Sequence, residues 1–182
     1  MLLTILCLAA GPSRAASPED FAVPSVPAGS TFQLAAARGS YVALHFLLKT
    51  ECPICLRHVR EFSRRSGELE GVVQVFLKPD SVEDIERWMN SLGDGVPSAP
   101  IIYRDAGAAL ARAYGIPDGY RFHGEIVHYP ALILLDPDGK EIFRHVGRNN
   151  TDRVSFGQLA EQVAAAKARN AATPSPAPAP AP

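Results

Sequence analysis

The feature that most constrains this chain is a pair of cysteines, Cys52 and Cys55, which follows an almost continuous apolar run over residues 41–48. The run is short and contains β-branched and aromatic side chains, which predicts a strand buried on both faces. Beyond the pair, apolar residues recur at helical spacing over residues 56–62. The pattern therefore predicts a strand, a loop and a helix whose N-terminus carries the two cysteines.

This placement of the cysteines predicts redox chemistry. The Cys-x-x-Cys spacing brings the thiols within disulfide reach, and the free N–H groups and positive dipole end of a helix N-terminus stabilise a thiolate. Cys52, at the mouth of the helix, is the predicted nucleophile, with a lowered pKa. Cys55, about one turn further in, is the predicted thiol that resolves the mixed disulfide. Pro53 suits the first helical turn, where a missing N–H costs nothing.

Other uses of the cysteine pair stay open at this point. A structural disulfide is one alternative. A copper or zinc carrier is another, although a closed zinc site takes four ligands and no second cysteine pair is present, so that histidines would have to complete it. Haem attachment is excluded, because Leu56 rather than histidine follows Cys55. The candidate additional metal ligands are His58, His123 and His128.

The remainder of the chain predicts an α/β fold, with elements in the order β-α-β-α-β-α-β-β-α. Strand–helix–strand units favour parallel pairing, and the turn at residues 137–139 predicts a final antiparallel hairpin. We therefore expect a central mixed β-sheet with helices on both faces. The predicted strands cover residues 41–48, 72–77, 100–103, 131–136 and 141–146, and the later helices begin at Ser81, Ala106 and Ser155.

The N-terminus predicts export. Residues 2–10 are almost wholly apolar, which is too short for a membrane-spanning helix but suits the hydrophobic region of a signal peptide. Small residues at Ser13 and Ala15 predict cleavage after Ala15, although no Lys or Arg precedes the apolar run. A buried strand or helix is the alternative. Leu6 before Cys7 argues against a lipid anchor.

The C-terminus predicts a disordered tail over residues 171–182, where five of the 16 prolines alternate mainly with alanine. A ligand for a proline-binding domain or a wall-spanning spacer is the functional alternative. One domain is left, over residues 16–170. The formal net charge of −1 argues against nucleic acid as a partner.

The chain resembles the thioredoxin-like superfamily. Within it, the chain is similar to the redoxin branch, which contains exported TlpA/ResA-type oxidoreductases and AhpC/TSA peroxiredoxin-like proteins. The resemblance covers about residues 32–166. It is carried by Leu44-His45-Phe46 with the Cys-Pro-Ile-Cys motif, by the segment 105–115, and by the segment 129–139. It implies a thioredoxin-like fold and a redox-active disulfide, with no further cofactor.

The resemblance also implies a substrate-binding site at Tyr129 and Pro130. Family members hold a cis-proline at the start of this strand, opposite the cysteines, and the backbone of the preceding residue binds the substrate chain. A trans-proline that simply begins the strand is the alternative.

Two residues near the cysteines are expected to affect their protonation. Thioredoxins keep a buried acid where His45 precedes Phe46 here, so we expect His45 to be a candidate proton acceptor; a histidine of the core is the alternative. Glu51 stands directly before Cys52, and its negative charge should raise the pKa of the Cys52 thiol.

The chain departs from the peroxiredoxin pattern at two places. Peroxiredoxins carry Thr or Ser three residues before the reactive cysteine, and Lys49 occupies that position here. An inserted segment at residues 118–128 precedes Pro130, and we interpret it either as a flap beside the cysteines or as a plain surface hairpin.

Together these features predict an exported, periplasmic or extracytoplasmic thiol–disulfide oxidoreductase that reduces disulfides of protein substrates. It would work as a monomer without a membrane span and would receive electrons from a membrane or soluble donor. The motif lacks the histidine found between the cysteines of strongly oxidising relatives, which favours a reductant. The alternatives are a thiol peroxidase of the AhpC/TSA type and the metal carrier.

Overall fold

A computed structural model describes residues 18–49, 52–93 and 100–172. Seven strands form one mixed sheet in the order β2-β1-β5-β4-β3-β8-β9, and β6 and β7 form a separate hairpin. The strands are β1 (Ala22–Val26), β2 (Thr31–Gln33), β3 (Tyr41–Phe46), β4 (Val72–Lys78), β5 (Ile102–Arg104), β6 (Asp118–Phe122), β7 (Glu125–His128), β8 (Ala131–Leu135) and β9 (Glu141–Val146). The helices are α1 (Pro53–Arg64), α2 (Val82–Asn90), α3 (Ala109–Ala113) and α4 (Phe156–Ala172).

The strand pairing confirms the predicted α/β fold. Strand β4 is parallel to both β3 and β5, as the strand–helix–strand units require. Strands β8 and β9 join the other side of β3 as an antiparallel hairpin. Sequence analysis missed β1 and β2, which extend the opposite edge of the sheet through β5. They are short, and Pro24 interrupts the alternating pattern of β1, so their periodicity is too weak to detect.

Strand β3 separates two halves of the core. Its side chains alternate between the two faces of the sheet: Ala43 packs with α1, α2 and α4, whereas Leu44 and Phe46 pack with α3. Every residue of β3 is buried. Because β3 ends just before the cysteine pair, the best-packed strand of the sheet fixes the start of the site.

The helix ends follow local chemistry in the sequence. Ser81 caps α2, accepting a hydrogen bond from the Asp84 backbone N–H at 3.1 Å, as its position predicts. Helix α4 runs through Ala172, two residues into the predicted tail; its last turn is exposed, and Nδ2 of Asn170 donates to Oη of Tyr41 at 2.9 Å. The predicted signal peptide and the remainder of the tail lie outside the described residues.

Within the described ranges, no helix combines the length and apolar character needed to cross a membrane.

The turn between β9 and α4 is closely packed at Gly147. A Cβ atom at this position would overlap the carbonyl oxygen of Asp152 and lie 3.1 Å from Cγ of Pro130. The backbone N–H of Gly147 also donates to the carbonyl of Pro130 at 2.7 Å. This close approach ties the start of β8 to the loop over residues 147–155.

We expect Gly147→Ala to lower the free energy of unfolding by about 1–3 kcal/mol, because overpacking must push the 147–155 loop away from β8. Gly157→Ala is the matched control: nothing lies within 4 Å of its Cβ position in α4. That variant should gain about 0.5–1 kcal/mol from reduced backbone entropy in the unfolded chain. Urea unfolding of both variants tests this, and equal effects would contradict the packing argument.

Candidate active site

The cysteine pair begins α1, as predicted. Cys52 is the N-cap residue, and its sulfur accepts a hydrogen bond from the Cys55 backbone N–H at 3.1 Å. Pro53 occupies the first helical position. A sulfur that receives an N–H at a helix N-terminus is stabilised in its thiolate form when the pair is reduced. The local sequence therefore builds the nucleophile's environment.

The two cysteines form a disulfide with their Cα atoms 5.1 Å apart. Both residues have no solvent-exposed area. They belong to the same apolar cluster as Val59 and Phe62, on the buried face of α1. The reactive pair is therefore held inside the core, below the surface of the molecule.

Arg153 approaches both cysteine sulfurs from outside α1. Its Nη2 atom lies 3.2 Å from Sγ of Cys55 and 3.8 Å from Sγ of Cys52. Burial lowers the pKa of Arg153 to about 10, so the guanidinium remains a cation at neutral pH. A cation this close to a thiol favours the thiolate.

Asn150 holds Arg153 in place. Its backbone carbonyl accepts from Nε of Arg153 at 2.8 Å, and its Oδ1 accepts from Nη2 at 3.0 Å. Oδ1 also lies 3.3 Å from Sγ of Cys52, where it can accept a hydrogen bond from the reduced thiol. Sequence analysis missed both residues because about a hundred positions separate them from the cysteines, and no local pattern connects the two segments.

His45 lies on the face of β3 that packs against α1, within a buried polar chain. Its Nε2 donates to Oε1 of Gln74 at 2.6 Å, and its Nδ1 lies 2.9 Å from Nε2 of His58. Because the glutamine oxygen only accepts, a neutral His45 carries its proton on Nε2 and accepts from His58. Both nitrogens of His45 are thus engaged with Gln74 and His58, and its role as a proton acceptor stays a prediction.

His58 is a second buried histidine of the site, and the sequence suggested it only as a candidate metal ligand. It follows Cys55 by three residues on the same buried face of α1, so its side chain leans back toward the cysteine turn. Burial lowers the pKa of His45 to about 4 and that of His58 well below its ordinary value. Both imidazoles are therefore neutral at pH 7. The sequence signal for the pair was the polar residue His58 on the apolar face of α1, between Cys55 and Val59.

A small cavity adjoins this pair of histidines. Its volume of about 10 Å³ has room for roughly one water molecule. His45, His58, Pro130 and Arg153 are among the residues that line it. Pro130 thus lines the same cavity as His58 of α1.

The expected cis-proline is wrong. The cis peptide bond within the described residues is Val26–Pro27, so Tyr129–Pro130 is trans. The backbone N–H of Tyr129 donates to the carbonyl of Pro117 at 3.1 Å, and its carbonyl accepts from Nδ1 of His128 at 2.7 Å. These bonds occupy the backbone groups expected to bind substrate. Substrate binding at Tyr129 and Pro130 stays a prediction.

The inserted segment forms the β6–β7 hairpin, and it lies beside the cysteines. Oη of Tyr120 accepts from the backbone N–H of Asn150 at 3.2 Å, and Val127 packs in the same cluster as both cysteines. On the other side, Lys49 forms an ion pair with Glu125. The hairpin is therefore joined to segments on either side of the cysteines, and its role as a flap stays a prediction.

Two further expectations concern other residues of the site. Glu51 lies outside the described residues, so its effect on Cys52 stays a prediction.

Within the described ranges no group of three or more His, Cys, Asp or Glu side chains comes together to hold a metal ion, which gives the metal-carrier alternative no support.

Lys78 holds the segment that follows β3 and precedes the cysteines. Its Nζ donates to the carbonyl of Leu48 at 2.9 Å and lies 3.1 Å from Oδ2 of Asp80. Both charged side chains are fully buried, and burial lowers the pKa of Lys78. The Lys78–Asp80 pair was not predicted, because only the fold shows that the end of β4 lies next to Leu48.

A mixed sheet with a Cys-x-x-Cys pair at the start of the helix after its central strand defines a thioredoxin-like thiol oxidoreductase. The AhpC/TSA family matches residues 15–141, and the chain belongs to that family. Arg153 and Asn150 lie beyond the matched residues. Among curated proteins, none matches this chain.

Solved structures share the fold at low sequence identity. A yeast mitochondrial 1-Cys peroxiredoxin has a TM-score of 0.73 at 15% identity, over 87% of this chain and 77% of its own. The bacterioferritin comigratory protein of Xanthomonas campestris has a TM-score of 0.61 at 21% identity, over 82% and 91%. A Bacteroides thetaiotaomicron protein assigned as a disulfide isomerase has a TM-score of 0.59 at 17% identity, over 83% and 87%.

The neutral histidine pair predicts loss of stability on acidification. Its pKa values are lower in the folded chain than the ordinary 6.5, so the unfolded chain binds protons first as the pH falls. The stabilisation is complete above about pH 6.5 and is lost as the pH falls toward about 4. The buried His128, whose pKa is also lowered, acts in the same direction.

Urea unfolding across this pH range measures the effect, and imidazole nitrogen NMR of the folded protein assigns it. We expect His45 to remain neutral at about pH 6. Asp152, whose pKa lies near 2, serves as the internal reference because its contribution is lost only at lower pH. A flat stability profile between about pH 6.5 and 4, or a protonated His45 at about pH 6, would contradict the prediction.

Proposed function

We propose that this protein is a thiol–disulfide oxidoreductase that reduces disulfides of protein substrates. The observation that carries the proposal is the position of the cysteines: Cys52 caps α1, and one guanidinium group, that of Arg153, reaches both sulfurs. Both features stabilise thiolates, which are the attacking and leaving species of disulfide exchange.

The reaction would proceed by two exchanges. The Cys52 thiolate attacks one sulfur of the substrate disulfide, which forms a mixed disulfide and releases one substrate thiolate, which takes up a proton. The Cys55 thiolate then attacks Sγ of Cys52 and releases the second substrate thiol. Two electrons and two protons pass to the substrate, and the Cys52–Cys55 disulfide remains, to be reduced again by a dithiol donor.

We propose that His58 receives the proton of Cys55 before the second exchange. His58 is a neutral imidazole one turn beyond Cys55, and its Nε2–H is directed to His45, which leaves Nδ1 as the accepting atom. His45, bonded to Gln74, holds that tautomer. His45 thus acts as a positioning residue: it acts through His58 and does not itself receive the proton of Cys55.

A thiol peroxidase is the second candidate, and membership of the AhpC/TSA family favours it. The Xanthomonas campestris neighbour is described by its alkyl peroxide reduction activity. Against it, Lys49 takes the position of the peroxiredoxin Thr or Ser, and its side chain is ion-paired with Glu125 on the hairpin. The local chemistry of this chain therefore favours disulfide exchange.

We also propose that the protein is exported, with cleavage after Ala15, and that it works as a reductant supplied by a membrane or soluble donor. The apolar run at residues 2–10 and the small residues before the cleavage site support export. The absence of histidine between Cys52 and Cys55 supports the reducing direction. N-terminal sequencing of the mature protein tests the first proposal, and retention of the first 15 residues would contradict it.

The two cysteines should give different phenotypes. Cys52→Ser should abolish disulfide reduction, because the attacking thiolate is gone, whereas Cys55→Ser should accumulate mixed disulfides that denaturing gels and mass spectrometry detect. Full activity in either variant would contradict the two-cysteine mechanism.

Two measurements on the wild-type protein complete this test. Stopped-flow mixing with hydrogen peroxide should show consumption no faster than by free cysteine, and a much faster rate would favour the peroxidase. A redox midpoint near about −120 mV, typical of strong oxidants, would contradict the reducing direction.

Arg153→Met should raise the pKa of the Cys52 thiol, because a cation is removed from the sulfurs. At about pH 7 the reduced variant should react with iodoacetamide roughly tenfold more slowly, which corresponds to about one pKa unit. The matched control is Arg148→Met on the same loop, where the arginine is exposed and pairs with Asp152. Equal alkylation profiles for wild type and Arg153→Met would show that the guanidinium does not tune the thiols.

A further inference from the structure

A groove of about 540 Å³ runs along the exposed side of α1, and we call it the arginine groove. It is open to solvent and faces away from the sheet. It is lined by Pro53, Arg57, Arg60, Glu61, Arg64 and Arg65. The segment 53–65 contains four arginines and one acidic residue, although the whole chain carries a net charge of −1. Positive charge is therefore concentrated on one surface.

The arginine groove starts at the reactive pair. Pro53 is joined to Cys52 by a peptide bond, and Arg57, Arg60 and Arg64 follow on the same face at helical spacing. With a rise of 1.5 Å per residue, the stripe from Pro53 to Arg64 extends about 16 Å. An extended peptide of about five residues has that length.

The acidic residues near the groove do not neutralise all of it. Glu68 lies 2.8 Å from Nη2 of Arg65, and Glu61 lies 3.9 Å from its Nη1, so both carboxylates act on one arginine. Arg60 donates to the carbonyls of Leu92 and Ser91, which fix the guanidinium, and among the described residues it forms no ion pair.

Arg57 is the exposed arginine closest in sequence to the cysteines. Within residues 18–49, 52–93 and 100–172 its side chain takes part in no ion pair. With Arg60 it places two positive charges within the first two turns of α1. A partner that brings carboxylates to these charges would lie directly beside Cys52.

We propose that the arginine groove docks an acidic segment of the protein substrate, so that disulfides flanked by Asp and Glu are preferred. The inference rests on the proposed disulfide reduction and specifies its substrate class. The charges are spread along about 16 Å rather than gathered around one point, which suits several carboxylates on an extended chain. Such a surface raises the association rate with an acidic partner, and salt weakens the effect.

The test uses the pre-reduced full chain and single-turnover kinetics with three substrates. Bis(2-hydroxyethyl) disulfide is small and neutral, and it reports the disulfide chemistry alone. Two peptide disulfides of equal length carry either Asp and Glu or Lys beside the cysteine. We expect the wild type to react about tenfold faster with the acidic peptide than with the basic one at low salt, and the ratio to approach unity at about 1 M salt.

Arg57→Glu should lower the ratio of acidic to basic rates at low salt by about threefold to tenfold, because one charge in the groove is reversed. Arg112→Glu is the matched control, with the same change at an exposed site in α3, which packs on the opposite face of the sheet. Its ratio should equal that of the wild type. An equal fall of this ratio in both variants would mean that only the net charge of the protein matters, and it would overturn the groove proposal.

The outcomes separate the groove from the chemistry. If the neutral disulfide is reduced but both peptides react equally, the groove proposal is wrong and disulfide reduction stands. If no disulfide is reduced, the proposed function is wrong and the substrate preference falls with it. A preference for the basic peptide would overturn the proposed partner chemistry.

Discussion

The contact between the Arg153 guanidinium and the two sulfurs is the interaction on which the site depends. It requires the 147–155 loop to return to the N-terminus of α1, and the close approach at Gly147 ties that loop to β8. Asn150 then fixes the guanidinium by two hydrogen bonds. Cys52 therefore faces a helix N-terminus on one side and a fixed cation on the other.

Two neutral histidines, His45 and His58, lie next to this cation. Arg153 lines the same cavity as His45 and His58, and its charge is one of the causes that lower the pKa of both histidines. A cation near the sulfurs thus favours thiolates, whereas burial, with a smaller contribution from that cation, keeps the neighbouring imidazoles neutral. The site can stabilise negative charge on sulfur while it retains a base that can accept a proton.

Access to the pair is the other constraint. Both cysteines lack exposed area, and the β6–β7 hairpin is fastened beside them through Tyr120 and through the ion pair of Lys49 with Glu125. The arginine groove begins at Pro53, the residue after Cys52, so a partner docked there would lie beside the site.

The sequence by itself determined the parts that depend on local pattern. The apolar run before the cysteines, the capping position of Ser81 and the spacing of Cys52 and Cys55 predicted β3, α2 and the redox pair, because such signals act within a few residues. The same reasoning missed β1 and β2, whose few residues carry little periodicity. The resemblance to the redoxin branch implied a cis bond at Pro130, and the structure has a trans one.

Only the tertiary structure decided which distant side chains act on the cysteines. Arg153 is about a hundred residues away from them, and His45 meets His58 through the packing of α1 on β3. These contacts depend on how strands and helices stack, which no short segment encodes. The sequence therefore determined that the chain carries a thiol pair, and the packing of the sheet, the helix and the 147–155 loop decided what surrounds it.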